Sequence, residues 1–232
     1  METINYNKKT LQILDNLDKS NKKPKLLLHA CCGICLIYPL DFLFDYFDIT
    51  VFYSNSNIYP KEEFEKRYDT LSGYLDLFKN HFNNQIKLIK APYDHETYMK
   101  DLRPYANEKE GGIRCELCYE KRLREAFEYA KKNNFDFVCT TLTSGRQKPS
   151  QKINQIAKKL EEEYAPIKYL YSDFKKNGGT EKGTKKAKSL NLYFQNYCGC
   201  EYSIWKKDWF FLNFLLILEY KEKIIILNNK II

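Results

Sequence analysis

The sequence predicts a doubly wound α/β fold, with a mostly parallel sheet and helices on both faces. Three observations carry that expectation. Five short apolar runs recur along the chain, each about the length of a strand. Between them lie longer mixed-charge segments, three of them amphipathic at a period near 3.6. Strands separated by helices of that length favour parallel pairing with right-handed crossovers. Finally, cysteines fall where apolar runs give way to helical patterns, the sheet edge at which such folds bind ligands.

Taken in order, the first strand is expected over 26–30 (LLLHA), followed by Cys31, Cys32 and Cys35 and a helix over 36–47. A second strand at 49–53 (ITVFY) leads to a helix over 60–80 that opens with Pro60 and glutamates, residues suited to a helix start. The run 86–89 (IKLI) is the third strand. Gly111 and Gly112 precede the CxxC of Cys115 and Cys118, which begins a helix over 116–132. The fourth strand, 135–140 (FDFVCT), holds Cys139 within an apolar pattern, so that thiol reads as a packed core residue. A helix over 150–164 and a strand over 167–170 (IKYL) complete the alternation. The stretch 175–188, KKNGGTEKGTKKAK, is rich in glycine and lysine and reads as a mobile loop with a short helix near its end. Residues 1–24 are expected to be a polar N-terminal segment, 25–203 the α/β domain, and 204–232 a C-terminal extension. Trp205, Trp209, Phe210 and Phe211 predict that this extension is partly helical and packed on the core, with an oligomer contact as the second reading.

Composition narrows the function. At 232 residues and 44% hydrophobic content the chain can bury a core without disulfides. Residues 1–25 lack the apolar stretch of a secretory signal, and the longest apolar run, 209–218, is interrupted by Asn213 and too short to span a bilayer. A cytoplasmic location is expected, without membrane association. In that compartment clustered cysteines act as metal ligands or working dithiols rather than as structural staples. A net charge of +8 and 16% aromatic content suit a nucleic-acid partner, since basic side chains neutralise phosphates and rings stack on bases.

Seven of the eight cysteines stand in three groups: Cys31, Cys32 and Cys35; Cys115 and Cys118; Cys198 and Cys200. Four thiolates from the first two groups could hold either tetrahedral zinc or an iron-sulfur cluster, and spacing leaves both open. Neighbouring cysteines reach one small ion with difficulty, which argues mildly against zinc. Cys198-Gly199-Cys200 is a different motif. A disulfide across two residues closes a small, strained ring that is easily reduced, so the pair reads as a redox-active dithiol, with additional metal ligands as the rival. His29 reads as packed or hydrogen-bonded rather than as a ligand.

The segments LLLHACCGIC from Leu26, FYSNSNIYP from Phe52, EGGIRCELCYEKRL from Glu110, TTLT from Thr140, DFKK from Asp173 and NYCGC from Asn196 occur in this order. Their order and spacing resemble those of the QueH-type epoxyqueuosine reductases over about residues 25–203. The resemblance implies a Rossmann-like fold of the nucleotide-hydrolase-like group. It also implies an oxidoreductase that converts epoxyqueuosine in the tRNA anticodon into queuosine, the last step of queuosine biosynthesis, without cobalamin. By position, Cys31, Cys32, Cys115 and Cys118 would bind a 4Fe-4S cluster, and Cys35 would be a ligand of a neighbouring single iron or zinc. Cys198 and Cys200 match the family's redox pair. Asn55, Asn57 and Tyr59 after the second strand, Arg122 after the CxxC, and Asp173 ahead of the lysine-rich stretch are the candidate substrate contacts. Relatives usually carry proline and histidine where this chain has Ser56 and Tyr59, and arginine where it has Phe194. The expected partners are tRNA and an unidentified electron donor.

Two rivals belong to other classes. A zinc-stabilised tRNA-binding protein without catalysis would use the same thiols for structure. An ATP-dependent tRNA thiolase would need a glycine- and serine-rich phosphate loop after the first strand, where HACCGIC stands instead.

Overall fold

The structure, a computed structural model, describes residues 3–18, 22–82 and 86–204. Residues 205–232, with Trp205, Trp209, Phe210 and Phe211, lie outside the described residues, as do the readings made for them. Five strands, β1 (Lys25–His29), β2 (Asp48–Tyr53), β3 (Lys87–Lys90), β4 (Phe137–Thr140) and β5 (Lys168–Tyr169), form one sheet in the order β3-β2-β1-β4-β5. Every pairing is parallel, so the expected mostly parallel sheet is wholly so.

The alternation of side chains along β1 explains the two helical layers. Leu26 and Leu28 join one core cluster with Leu36 and Leu40 of α2 (Gly33–Leu43) and Phe64 and Leu71 of α3 (Lys61–Phe82). Leu27 points the other way, into a cluster with Leu123 and Phe127 of α5 (Ile113–Lys132) and Ile153 and Leu160 of α6 (Ser150–Glu163). All three leucines are fully buried, each contributing roughly 1.5–3 kcal/mol. Strand order reverses between β1 and β4. The chain leaves β1 toward β2 and leaves β4 toward β5, so the loops after these strands diverge and open a crevice at the carboxyl edge.

Two helices were not legible in the hydrophobic pattern, and a third is longer than the short helix expected near the end of 175–188. The N-terminal segment forms α1 (Tyr6–Asp15), which buries Tyr6, Thr10 and Leu14 and is capped by Asn5. A short α4 (His95–Lys100) follows β3 and is capped by Asp94. The stretch read as a mobile loop is chiefly α7 (Gly179–Ser189), packed on α2. Its glycines serve close approach rather than flexibility: a Cβ on Gly179 would lie 2.0 Å from the Phe174 carbonyl oxygen and 2.6 Å from the Tyr38 ring. Lys186 bridges back to Asp41 on α2 at 2.6 Å. Among the described residues no helix is long and apolar enough to cross a membrane.

Candidate thiol and metal centre

The first thiol group sits in the crevice. β1 ends at His29, so Cys31 and Cys32 occupy the turn, with Cys32 as the N-cap of α2 and Cys35 in its first turn. The Sγ atoms of Cys31, Cys32 and Cys35 all lie within 4.8 Å of one another, and those of Cys31 and Cys32 are 3.8 Å apart. Tetrahedral zinc-thiolate geometry puts sulfurs about 3.8 Å apart, so this cup has the dimensions of a metal site. Hydrogen bonds from the Cys32 and Cys35 thiols hold Cys31 well below the ordinary thiol range despite burial. The same bonds push Cys32 up to about 12 and raise Cys35 well above its ordinary value. The β4 loop closes one wall, with Thr141 Oγ1 accepting from the Cys31 amide at 3.3 Å. Pro39 inside α2 leaves the Cys35 carbonyl without its helical donor, and Ser144 Oγ donates to it at 3.1 Å.

Helix α5 brings the second group. Its N-cap is Gly112, so Cys115 lies in the first turn and Cys118 in the next. The Gly111 amide donates to Cys115 Sγ at 3.2 Å, and Tyr98 of α4 donates its hydroxyl to Cys118 Sγ at 3.3 Å. Among the described residues, neither Cys115 nor Cys118 joins a thiol group as tight as the cup formed by Cys31, Cys32 and Cys35. One turn beyond Cys118, Arg122 is 3% exposed. Burial opposes its charge, but the Cys118 and Cys31 sulfurs nearby outweigh that effect and raise its pKa. Arg122, a candidate substrate contact in the sequence, is a buried cation between two thiol groups. Arg122 donates to Asn55 Oδ1, and Asn55 Nδ2 donates to the Ala30 carbonyl at 2.9 Å, tying the ends of β1 and β2 to α5.

The CxC segment lies over the same edge. Gly199 has φ +109°, and a Cβ there would come 2.9 Å from Arg67 Nη1 and 3.1 Å from Ile58, so glycine is required on both counts. Arg67, buried on α3, donates to the carbonyls of Cys198 and Tyr197 at 3.1 Å each and pairs with Glu63 at 2.7 Å. The Tyr59 amide donates to the Gly199 carbonyl at 2.8 Å, and Tyr197 donates its hydroxyl to the Tyr59 carbonyl at 2.5 Å. Gln195 Nε2 stands 2.9 Å from Cys32 Sγ, joining this segment to the cup. Cys198, Cys200 and Cys115 line one small recess with Glu110, Arg114 and Tyr202. Burial disfavours the Cys198 thiolate, but the charge of Lys148 and its hydrogen bond to the sulfur, 2.8 Å away, bring the pKa below the ordinary value. Burial pushes Cys200 up to about 12. All eight cysteines are free thiols.

The remaining candidates divide. Asn57 is buried, and its Oδ1 has no partner. The Tyr59 ring is 41% exposed and lies 5.1 Å from that of His95. Asp173 is committed internally, accepting from Ser150 Oγ at 2.9 Å and pairing with Lys175 at 2.9 Å. Lys175 in turn donates to the carbonyls of Thr143 and Lys148, so it braces the loop that carries Lys148. His29 is packed as expected: the Ser54 carbonyl, 3.2 Å away, can only accept and so fixes the proton on Nε2, while the Thr140 hydroxyl meets Nδ1 at 2.8 Å. Burial, then the Arg122 charge, lowers its pKa to about 3, and the ring is neutral. Cys139 is fully buried in the core.

Sequence reasoning missed Lys148, Arg67, Tyr98 and Gln195. Lys148 sits in RQKPS, Arg67 and Tyr98 on helices and Gln195 in LYFQNY, contexts with no local signal, and only the fold brings them to the cysteine segments. Five buried side-chain polar atoms lack partners among the described residues. Four of them, on Asn57, Arg114, Arg122 and Gln195, belong to residues at this edge, while amide, hydroxyl and guanidinium donors face the sulfurs. Such a donor set suits an anionic thiolate-bound metal group. Beside it, between β2, β3, α4 and α5, lies a cavity of about 530 Å³ walled by Phe52, Ser54, Tyr98, Glu125 and Tyr129.

Fold and site together define an α/β protein with a wholly parallel sheet whose crevice carries a cysteine-rich centre able to bind metal. The sequence profile described as "Epoxyqueuosine reductase QueH" matches residues 26–206. Proteins of that name are similar to the chain across its length. The Staphylococcus epidermidis protein is 34% identical over 208 residues, covering 89% of this chain and 87% of its own. The Streptococcus pyogenes serotype M1 protein is 34% identical over 87% of this chain and 79% of its own, and that of Thermotoga maritima 32% identical over 77% and 90%. The chain belongs to the epoxyqueuosine reductase family QueH.

Proposed function

We propose that this protein reduces epoxyqueuosine in the tRNA anticodon to queuosine, the last step of queuosine formation, without cobalamin. The observation that carries the reading is the convergence of thiols from three segments at one sheet edge, two of them beside the cations Arg122 and Lys148. Cys31, Cys32, Cys115 and Cys118 would hold a 4Fe-4S cluster, and Cys35 would be a ligand of a neighbouring single iron or zinc. Such groups supply one-electron chemistry and Lewis acidity when bound. Removing an epoxide oxygen to leave an alkene consumes two electrons and two protons, and Cys198 and Cys200 can supply the electron pair by closing to a disulfide. Arg122 would keep negative charge in the crevice stable, and Asn55 fixes its direction. Asn57, with an unpaired buried oxygen, is the polar group best placed to accept from substrate, and Tyr59 offers an exposed ring for stacking. Asp173 would act indirectly, through Lys175. The outward lysines of α7 suit tRNA phosphates. The deciding test is anaerobic incubation of iron-reconstituted protein with epoxyqueuosine tRNA, followed by nucleoside mass spectrometry. Loss of one oxygen is expected, and an unchanged nucleoside with an intact cluster would overturn the reading.

The tight cup of Cys31, Cys32 and Cys35 favours a second reading, a zinc-stabilised tRNA-binding protein without catalysis. Iron, acid-labile sulfide and zinc content of anaerobically purified protein separate the two.

A further inference from the structure

Cys198 and Cys200 are two residues apart but stand in different surroundings. Lys148 Nζ lies 2.8 Å from Cys198 Sγ, and its position is fixed from several sides. The Lys148 amide donates to the Gly145 carbonyl at 3.0 Å, and a Cβ on Gly145 would come 2.9 Å from Lys148 Cγ, so the lysine stem folds directly over that glycine. Its own carbonyl accepts from Lys175 Nζ at 3.2 Å, and the ammonium lies 5.4 Å from the centre of the Tyr119 ring. Cys198 also feels Arg122 of α5 and Glu110 ahead of it, and its charge is felt in turn by Cys118 and Tyr119 of α5 and by Cys200. Arg67 of α3 meets the Cys198 carbonyl rather than the sulfur. Among the described residues, Lys148 is the cation hydrogen-bonded to this sulfur.

We infer that Lys148 sets the polarity of the CxC pair: its ammonium makes Cys198 the resting thiolate, the sulfur that reacts first, and leaves Cys200 as the neutral thiol that closes the ring. The inference rests on the redox reading of the pair given above. A thiolate is the nucleophile in thiol chemistry, and a neighbouring lysine is one of the groups that create one. When the pair closes, Cys198 S⁻ and Cys200 S–H form one S–S bond, and two electrons and the Cys200 proton leave. The Lys148 ammonium has then lost its anion and gives up the second proton. Two electrons and two protons are what an epoxide needs for both of its C–O bonds to break, a C=C bond to form and the oxygen to leave as water. Lys148 is thus a positioning residue that also stores a proton.

The test is site-resolved alkylation of the reduced, anaerobically purified holoprotein with iodoacetamide over about pH 5.5 to 9.5, with each cysteine read by peptide mass spectrometry. A free thiol titrates near 8.5. The Cys198 rate is expected to reach half its maximum clearly below that value, and the Cys200 rate above it. In Lys148→Met the Cys198 midpoint should rise to or above that of a free thiol, while Lys148→Arg should keep most of the lowering. Equal midpoints for the two cysteines in the wild-type protein would overturn the inference whether or not a variant folds, as would an unchanged Cys198 midpoint in a folded Lys148→Met protein. Absence of a Cys198–Cys200 disulfide after turnover would instead count against the redox reading, and the midpoints would still report on Lys148.

Discussion

Replacing Arg67 by methionine tests how the CxC segment is held. Arg67 is 3% exposed and Glu63 8%, so the substitution leaves a buried carboxylate without its cation. Breaking a buried pair in this way costs about 3–5 kcal/mol. The Tyr193 hydroxyl, 2.9 Å from Glu63 Oε2, still donates to that carboxylate and moves the expectation to the lower end, about 3 kcal/mol. The carbonyls of Cys198 and Tyr197 also lose charged donors, but both lie in a half-buried segment where water can replace part of each bond. For a chain of this size each kcal/mol moves Tm by roughly 2–4 °C, so the variant should melt about 6–12 °C lower. The comparison needs equal metal content, because bound metal raises Tm by mass action. The double variant Arg67→Met with Glu63→Gln should recover most of the loss, since the penalty arises mainly from the orphaned charge. A single variant within about 1 kcal/mol of wild type, or a double variant no better than the single, would refute the reasoning.

Gly199→Ala should lose multiple turnover and cost more than about 1 kcal/mol, because its positive φ and the Arg67 contact both reject a Cβ; unchanged thermal unfolding and turnover would contradict this. Serine at Cys198 or Cys200 should leave cluster absorption intact and abolish multiple turnover, whereas serine at Cys115 or Cys118 should lose iron, as measured by stoichiometry and visible spectrum. Burial raises the Glu125 carboxyl above its ordinary value against a hydrogen bond from Ser54. Between the unfolded and folded pKa values the native state binds more protons, so stability rises as pH falls through that window. Glu125→Gln should therefore be more stable than wild type at neutral pH, with the gap narrowing in acid; a gap independent of pH in urea titrations would exclude the effect.

The strands were legible because each reads as a short apolar run, buried on at least one face in all but β3, whose Leu88 and Ile89 are half-buried. Leu26, Leu27 and Leu28 are a continuous run because both faces of β1 are covered. The long amphipathic helices were legible for the same reason, through the stripe they bury. Helix α7 was legible only as a short helix near the end of its stretch, because its contact with α2 is made by Gly179 and Gly183, residues whose propensity favours loops and whose value here is their lack of a side chain. At the site, the thiols announced themselves by spacing. Their partners did not: Lys148 is 50 residues from Cys198 and Arg67 is 131 residues away. An ionic contact at that separation leaves no local pattern, since any surface lysine reads the same until the fold buries it.

The two thiol groups that open helices share a local design that follows from helix chemistry. In α2 the N-cap is Cys32 and the third helical residue is Cys35; in α5 the N-cap is Gly112 and the third helical residue is Cys115. Helix N-termini carry free amides and a partial positive charge, worth about 0.3–1 kcal/mol to a nearby anion and up to about 2 when partly buried. In doubly wound folds that advantage usually serves phosphate, through a glycine-rich loop after the first strand. Here the loop after β1 offers Cys31 and Cys32 in that place. A second helix, α5, aims its N-terminal turn and the Gly111 amide at Cys115, 3.2 Å away. Two helix starts thus face sulfur where one would face the phosphate of a nucleotide. Buried Arg122 adds a cation near Cys31 and Cys118, so the edge at which such folds receive an anionic ligand is here filled by the chain's own thiols and their donors.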